Sequence, residues 1–281
     1  MVSSTDASSA TLAVAVRLPP PCAPLLAVQA RPLLLAASLS RQLAAQGHPT
    51  ELVLCCDPHA DIMHHFVVSV WLRYLELAGE TFEYPEQAFQ EDYVWDIGAT
   101  LHREHRDDYH YSATRLFPEA DSTATFAHLQ KQIRSLLGET RYQQVYSLAS
   151  SAILDSYQRD MNALDILNSQ WSENQKSCPD ALNTLMLTKL KKTHAIHIAP
   201  TTLMRAGKNA AISPSTESAV TLRELYTEVG VPATIDHFMS KRYDQPLDFD
   251  IEQAKPGKTH HLATRIKAAN TALQQQATAI L

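Results

Sequence analysis

The first 56 residues constrain the fold more than any other part of the sequence. Residues 11–18 form an apolar run typical of a buried strand, and three consecutive prolines at 19–21 end it. Helical spacing follows over residues 32–46 and stops at Gly47, and residues 51–56 form a second short apolar run. A strand, a helix and a strand in this order predict parallel strands joined by a crossover helix, and hence a Rossmann-like α/β sheet.

The remainder of the chain is dominated by helical patterns. A helix is predicted at about 62–79, and helical spacing then covers most of residues 80–192, with breaks at Pro85, Pro118 and Gly138. Its long amphipathic stretches are 123–137 and 143–170, and a β-like run at 195–198, a helix at 221–229 and a last helix from about Lys258 follow.

These patterns predict a simple domain organisation. Residues 1–10 are rich in serine and alanine and are expected to be disordered. The chain is long enough for one large core, so we predict a single domain over residues 11–281. Its predicted parts are a first Rossmann half (11–79), a mainly helical insertion (80–192), and the remaining Rossmann elements with C-terminal helices (193–281).

Charges near the N-terminus argue against a membrane or secreted protein. Arg17, Arg31 and Arg41 interrupt the apolar stretch, so no run reaches the roughly 18–20 uncharged residues of a membrane-spanning helix. Residues 1–10 carry Asp6 in place of a basic start, and no clear cleavage site follows, which argues against a signal peptide. We therefore expect a cytoplasmic protein.

Cysteine spacing and net charge exclude further classes. The four cysteines include the adjacent Cys55 and Cys56 and form no Cys-x-x-Cys motif, so neither a disulfide framework nor a zinc ribbon is expected. The net charge of −6 argues against extensive coating by nucleic acid. Any contact with RNA is therefore expected on one face only.

Four sets of residues follow one another at a characteristic spacing. The first set is Ser69-Val-Trp-Leu-Arg-Tyr-Leu-Glu-Leu77 with Asp92-Tyr-Val-Trp-Asp-Ile97, and the second is Leu154-Asp155, Asp160-Met161, Leu164 and Trp171-Ser-Glu173. The third is Val220-Thr-Leu-Arg-Glu-Leu-Tyr-Thr-Glu-Val-Gly230 with Pro246-Leu-Asp-Phe-Asp250, and the fourth is Pro24-Leu25 with Asp57.

In this order the four sets resemble the catalytic core of class I arginyl-tRNA synthetases. The second set is similar to a family helix that ends in Trp-x-Ser-Glu, and together the sets span most of residues 12–275. The resemblance implies an α/β fold with a Rossmann-like parallel sheet of class I aminoacyl-tRNA synthetase type, a large α-helical insertion and C-terminal helices.

Both ATP motifs of that family are missing. The family's His-Val-Gly-His, which stabilises ATP phosphate charge, is replaced by Leu26-Ala27-Val28-Gln29, an apolar stretch that cannot do so. The window expected to hold Lys-Met-Ser-Lys-Arg reads Ala211-Ile-Ser-Pro-Ser215 and has no lysine. Met239-Ser-Lys-Arg242 comes after the Val-Thr-Leu helix and is interpreted as a coincidence. The chain is therefore not expected to charge tRNA.

A synthetase core without ATP chemistry can still use an amino acid that is already attached to tRNA. The closest resemblance in design and length is to the fungal arginine-containing cyclodipeptide synthases, which join two aminoacyl groups from tRNA into a diketopiperazine. The prediction is a cyclo(Arg-Xaa)-forming enzyme without a cofactor. An arginyl-tRNA-dependent transferase to another acceptor, or an inactive synthetase-like binding or regulatory protein, remains an alternative.

Carboxylates are the natural partners of a substrate guanidinium. Asp57 and Asp61 follow the second predicted strand, where open α/β sheets place ligands, although either could instead cap the next helix. Glu76 is a weaker candidate that could equally be a solvated or paired helix residue. Tyr142 and Tyr146 share a helix face and could line the pocket or pack in the core.

The covalent chemistry has fewer candidates. Cys22 is the residue that could hold an aminoacyl group, because the bacterial cyclodipeptide synthases use a serine after the first strand, but an inert buried cysteine is the alternative. His59, His64 or His65 could accept a proton from the attacking amine. The same histidines with Asp57 and Asp61 could suggest a metal site, but their spacing lacks a helical ligand pair, so no metal is predicted.

Basic residues suggest where RNA could bind. Lys189, Lys191 and Lys192 form the densest basic run, and Lys241 and Arg242 could extend it, with a solvated face as the alternative. The sequence has no counterpart of the family's N-terminal tRNA-binding module or anticodon-binding domain. The expected partners are therefore arginyl-tRNA and a second aminoacyl-tRNA, each held by its acceptor end, with no DNA and no membrane.

Overall fold

The computed structural model describes most of the chain. The described residues are 11–117, 126–167, 169–174, 178–189, 192–205, 207–209, 219–255 and 262–281. Six predictions lie outside them: the disordered segment 1–10, the break at Pro118, the helix start at 123, Lys191, the 211–215 window and the helix start at Lys258.

The chain forms two compact units. The sheet unit is made of described residues within Met1–Pro19, Pro24–Asp57 and Tyr157–Leu281, and the helical unit comprises Pro20–Ala23 and Pro58–Ser156. The single domain predicted over residues 11–281 stays a prediction.

A five-stranded sheet with the order β3-β2-β1-β4-β5 forms the centre of the sheet unit. Strands β1, β2 and β3 are parallel, and Leu12 of β1 is paired with Thr50 of β2. This confirms the predicted parallel start, with a helix as the crossover. The bounds are β1 Leu12–Arg17, α1 Ala30–Ala45, β2 Thr50–Cys55 and β3 Ser169–Ser172.

The other edge of this sheet differs from a uniformly parallel one. Strand β4 pairs antiparallel with β1, and β5 pairs antiparallel with β4. Lys189, the last residue of β4, is paired with Lys192, the first residue of β5, so these two strands are antiparallel neighbours that follow each other in the chain. The bounds are β4 Thr184–Lys189 and β5 Lys192–His197.

A second, three-stranded sheet with the order β7-β6-β8 and the last helices complete the sheet unit. Strands β6 and β8 are parallel, and β7 is antiparallel to β6. The elements are β6 Thr201–Arg205, β7 Lys208–Asn209, α5 Leu222–Val229, α6 Val231–Phe238, β8 Leu247–Asp250, α7 Ile251–Ala254 and α8 Leu262–Ile280.

The helical unit is built around a helix whose inner face carries buried aromatic side chains. Trp71 and Tyr74 are 0% exposed, and the Trp71 indole donates to the Tyr109 carbonyl at 3.0 Å. The helix packs closely on its neighbour at Gly98, where an added Cβ would lie 2.7 Å from the Cβ of Arg73. The elements are α2 Asp61–Leu77, α3 Asp92–His105, a 3-10 turn at Ala113–Arg115, and α4 Phe126–Ala163, whose last turns belong to the sheet unit.

Two helical predictions extend too far. The predicted helix at 143–170 ends at Ala163, because Asp165 adopts a left-handed conformation with a φ of 57° and breaks the helical path. Trp171-Ser-Glu173 therefore lies on and just after strand β3, not at the end of a helix. The mainly helical segment predicted to residue 192 likewise contains strands β3 and β4.

None of the helices within the described residues combines the length and the apolar content that a bilayer-spanning segment requires.

Candidate functional site

The segment that replaces the family's first ATP motif is closed by backbone hydrogen bonds. The Leu222 amide donates to the Leu25 carbonyl at 2.7 Å, and the Ala27 amide donates to the Val220 carbonyl at 3.0 Å. Leu25 and Ala27 are both fully buried. Nucleotide phosphates need free N–H groups or cationic side chains. In this segment the amides of Leu26, Ala27 and Gln29 are bonded within the protein, and no side chain is cationic.

The amino end of α5, which follows this contact, is satisfied by its own side chains. Thr221 is the N-cap, and its hydroxyl accepts from the Glu224 amide at 3.2 Å. The Glu224 carboxylate accepts in turn from the Thr221 amide at 2.8 Å. This capping box places a negative charge where an anion would have to bind, so the end of α5 is not a phosphate site.

The carboxylate of Asp160 lies in a polar cluster of the sheet unit. Asp160 is 1% exposed, and its Oδ1 accepts from Arg223 Nη2 at 2.7 Å, Arg223 Nε at 3.1 Å and the Tyr226 hydroxyl at 2.9 Å. Partial burial alone would lower the pKa of Arg223, but the hydrogen bonds that Arg223 donates to Asp160 and Tyr226 raise that pKa overall. Asp160 is thus already occupied by a cation of the chain itself.

In the helical unit, His64 on α2 meets two tyrosines of α4. His64 Nδ1 lies 2.9 Å from the hydroxyl of Tyr142, and the ring of Tyr146 lies 5.8 Å from the imidazole. The Tyr146 hydroxyl donates to the Pro58 carbonyl, which fixes that ring beside the start of α2. The structure therefore brings Tyr142 and Tyr146 together at His64.

Burial and nearby charge set the protonation of this pair. Burial first, and the positive charge of Arg134 second, lower the pKa of His64, so the imidazole is neutral at neutral pH. Burial raises the pKa of Tyr142 to about 12, so the phenol keeps its proton. When Nδ1–H donates to the Tyr142 oxygen, Nε2 is the atom that can accept a proton.

Arg134, whose positive charge lowers the pKa of His64, lies beside a kink in α4. Gly138 has a φ of 71° and a ψ of 163°, a conformation that glycine alone adopts readily. Across the kink, Arg134 donates to both Glu139 oxygens at 2.7 Å, and its guanidinium lies 5.2 Å from the Tyr142 ring centroid. The hydrogen bond from Arg134, with a second from Gln143, lowers the pKa of Glu139 to about 2.

The other predicted proton acceptors have different surroundings. His65 packs its ring on Phe126, with 4.6 Å between the ring centroids, and His59 is exposed at the start of the helical unit. His64 differs from His65 in that its Nδ1 lies within hydrogen-bond distance of a tyrosine hydroxyl.

The predicted nucleophile lies in an unfavourable place for a thiolate. Cys22 is 8% exposed, and burial raises the pKa of its thiol to about 11. Its carbonyl accepts a hydrogen bond from the Tyr93 hydroxyl at 3.0 Å. A buried thiol with a raised pKa is a weak nucleophile at neutral pH, so the structure gives this prediction no support.

The predicted acidic contacts are distributed over both units. Asp57 is half-buried after β2 in the sheet unit, whereas Asp61 is the exposed first residue of α2 in the helical unit. The N-cap of α2 is Ala60, so neither aspartate holds the cap position. Glu76 is already paired, since its Oε2 accepts from Arg73 at 2.8 Å and from the Tyr84 hydroxyl at 2.9 Å.

The predicted RNA contacts lie in the sheet unit. Lys192 is exposed and Lys189 half-buried at the β4–β5 turn. Lys241 donates to the Pro246 carbonyl at 3.1 Å, and Arg242 pairs with Asp244 at 2.9 Å, so both cations have local partners. Among the described residues, no group of three His, Cys, Asp or Glu side chains could hold a metal ion.

Sequence reasoning missed the Arg134–Glu139 pair and the cluster around Asp160. Asp160 and Arg223 both lie in segments that carry the resemblance, so this signal could have identified them. Nothing in the sequence marks Arg134, because its effect on His64 depends on how the two helices pack.

Comparison with known proteins shows similarity to arginine–tRNA ligases over part of the chain. No protein-family model matches the chain. It is 35% identical over 133 residues to the arginine–tRNA ligase of Thioalkalivibrio sulfidiphilus, covering 44% of the chain and 22% of that ligase. It is also 28% identical over 160 residues to the ligase of Nitrosospira multiformis, covering 55% of the chain and 27% of the relative. The matched regions therefore span about a quarter of these relatives.

The fold has a counterpart among solved structures. A crystal structure from Campylobacter jejuni, provisionally described as an arginyl-tRNA synthetase, superposes with a TM-score of 0.61 and 12% identity, covering 87% of this chain and 66% of that one. The fold is therefore of the class I synthetase type, as the sequence predicted. More particularly, the chain has partial homology to arginine–tRNA ligases.

Proposed function

We propose that the chain is an aminoacyl-tRNA-dependent cyclodipeptide synthase that joins the arginyl group of arginyl-tRNA to a second aminoacyl group. The observation that carries the proposal is the closed segment at Leu25–Ala27, held by the backbone of residues 220–222. Within the described residues, the segment Leu26–Gln29 has no cationic side chain for ATP phosphates, and the amides of Leu26 and Ala27 are bonded within the protein. An activated amino acid supplied as a tRNA ester needs no phosphate chemistry.

The proposed reaction consists of two ester aminolyses. The α-amine of one aminoacyl ester attacks the carbonyl carbon of the other, an amide bond forms, the ester bond breaks, and the terminal ribose hydroxyl of one tRNA leaves with a proton. The remaining free amine then attacks the second ester in the same way, which closes the diketopiperazine and releases the second tRNA. Neither step needs a cofactor, and direct attack needs no covalent enzyme intermediate.

Each attack requires that the amine lose a proton. His64 is the proposed acceptor, because its lowered pKa keeps the imidazole neutral and Tyr142 orients it through Nδ1. His59 and His65 remain proposals for the same role. Cys22 stays a proposal for a covalent intermediate, although direct attack fits its buried, protonated thiol better.

The contacts with the substrate arginine and with tRNA are also proposals. Asp57 in the sheet unit and Asp61 in the helical unit are each proposed, independently of the other, as a carboxylate partner for the substrate guanidinium, whereas Glu76 would first have to leave Arg73. Tyr142 and Tyr146 are proposed to line the pocket at His64. Contact with the acceptor ends of tRNA is proposed for the basic residues Lys189, Lys191, Lys192, Lys241 and Arg242.

The decisive experiment is expression in a bacterial host followed by mass spectrometry for arginine-containing diketopiperazines. A second arm incubates the purified protein with labelled arginyl-tRNA and a mixture of aminoacyl-tRNAs, without ATP. His64→Gln is expected to lower the product at least about tenfold, whereas His48→Gln, in the loop before β2, should leave it unchanged.

The outcomes separate the candidate functions. A cyclic product that depends on His64 supports the proposal. Transfer of arginine to another small acceptor would favour the transferase, and specific binding of arginyl-tRNA without any product would favour a binding protein. Soluble protein that neither forms a product nor binds arginyl-tRNA would refute the proposal.

A further inference from the structure

A cavity of about 340 Å³ lies in the sheet unit, where α1 covers the amino-terminal end of β2. Its volume is at the low end of the range of about 300–1,000 Å³ for ligand sites, which favours a molecule of amino-acid size over a nucleotide. The lining residues come from α1 (Ala37, Ser40, Arg41, Ala44), from β2 (Thr50, Leu52) and from the segment between α4 and β3 (Asp165, Leu167).

Two hydroxyls line the cavity beside its apolar residues, and that of Thr50 already donates to the His48 carbonyl at 2.8 Å. Ala37 and Leu52 are 5% and 4% exposed. Ser40 is 8% exposed, and its Oγ is buried without a hydrogen-bond partner among the described residues. A buried hydroxyl without a partner is unfavourable in a folded protein, so a polar ligand atom beside Ser40 would gain a hydrogen bond that the protein does not supply.

The mouth carries one charge of each sign. Arg41 Nη1 donates to Asp165 Oδ2 at 3.1 Å and to the Asp165 carbonyl at 3.2 Å. The two side chains are 57% and 71% exposed, and an ion pair in that position contributes little stability. Both contacts use one nitrogen of Arg41. Its other donors, and the second carboxylate oxygen of Asp165, can therefore face a ligand.

We propose that this cavity binds a free, neutral α-amino acid as its zwitterion. The carboxylate is held by Arg41 and the ammonium by Asp165. The ligand side chain packs against Ala37, Leu52 and Leu167. Where that side chain has a polar atom, as tyrosine does, the atom hydrogen-bonds to Ser40. A phosphate ligand is disfavoured because Asp165 would repel it. This site would bind free amino acid and is independent of the chemistry at the tRNA ester.

The test is isothermal titration calorimetry of the whole chain with L-leucine, L-methionine, L-tyrosine and L-tryptophan in turn, without tRNA. At least one is expected to bind saturably at one site per chain. Its amide, which lacks the carboxylate, and its N-acetyl derivative, which lacks the ammonium, should each bind at least about tenfold more weakly. No saturable binding up to about 10 mM of any of the four would overturn the proposal.

Variants locate the binding. Arg41→Met and Asp165→Asn should each weaken binding at least about tenfold, and asparagine is chosen because it tolerates the left-handed backbone of residue 165. Arg205→Met is the matched control, since it breaks an exposed ion pair to Glu228 elsewhere in the sheet unit, and affinity should not change. Circular dichroism checks that each variant is folded. Unchanged affinity in both cavity variants would refute the site.

Discussion

The pKa of the His64 imidazole depends on burial and on the charges around it. Burial and Arg134 lower its pKa, whereas Asp61 and Glu139 oppose that shift. An unfolded histidine titrates near about 6.5, so below that pH the unfolded chain binds a proton that the folded protein resists. The contribution of His64 to stability is therefore complete above about pH 6.5 and is lost as the pH falls toward the folded pKa.

Removing the charge at Arg134 should raise the pKa of His64. In Arg134→Gln the repulsion that disfavours the imidazolium disappears, while Glu139, freed from its pair, attracts the proton more strongly. The shift is read from the imidazole proton resonances in an NMR titration. Lys131→Gln, another exposed cation of α4, is the control and should leave the titration unchanged. An unchanged or lower pKa in Arg134→Gln would show that burial alone controls His64.

A second prediction concerns the unpartnered hydroxyl of Ser40. Ser40→Ala removes a buried polar atom without a partner, so the free energy of unfolding should rise. Alanine also favours a helix slightly over serine, and Ser135→Ala at an exposed site of α4 measures that part. Urea denaturation should give Ser40→Ala a gain about 1 kcal/mol larger than that of Ser135→Ala. A loss of stability would mean that the hydroxyl has a partner such as an ordered water.

At the scale of elements, the sequence correctly predicted the helix ends and breaks that depend on neighbouring residues. The end of α1 near Gly47, the break at Gly138 and the α5 helix were all read correctly, because glycine geometry and capping act within a few residues. Strand β3 was missed, since four residues become a strand only by pairing with β2, more than a hundred residues earlier. Strand β5 was predicted in part by the β-like run at 195–198, whereas β4 was missed because it lies in the segment predicted to be mainly helical, and its antiparallel pairing depends on residues distant in the sequence.

In the candidate site, too, local relations could be predicted from the sequence and long-range contacts could not. The sequence identified Tyr142 and Tyr146 as neighbours on one helix face, which is a local relation. Their contact with His64 joins residues 78 positions apart and depends on how α2 and α4 pack. The influence of Arg134 likewise requires the kink at Gly138, so it could not be predicted from spacing.

The kink in α4 provides the element-scale prediction. In Gly138→Ala, no atom lies within 4 Å of the new Cβ, so the cost is that of the backbone conformation alone, about 1–3 kcal/mol. Chemical denaturation measures it, with Lys131→Ala on the same helix as the control. The variant should also shift the His64 titration, because Arg134 and Glu139 face each other across the kink. Equal or higher stability would mean that α4 can straighten at this position.

At the scale of the whole molecule, likeness to arginine–tRNA ligases must be reconciled with the proposed absence of ATP chemistry. The likeness covers 44–57% of the chain in the relatives compared, and the fold covers more. The segment at the first ATP motif is not an open loop with changed side chains. It is pinned to the start of α5 through backbone atoms, which substitution of side chains does not remove.

This closure predicts the behaviour of the intact protein toward ATP. With arginine, ATP and tRNA, the chain should give no arginine-dependent exchange of pyrophosphate into ATP, and millimolar ATP should not raise its melting temperature, because only a ligand that binds the native state does so. The ligase of Thioalkalivibrio sulfidiphilus serves as the assay control. Leu26→His and Gln29→His together should not restore exchange, since the Ala27 amide stays bonded to the Val220 carbonyl. Exchange above background in the unmodified chain would make it a producer of arginyl-tRNA and would remove the basis for treating it as a consumer.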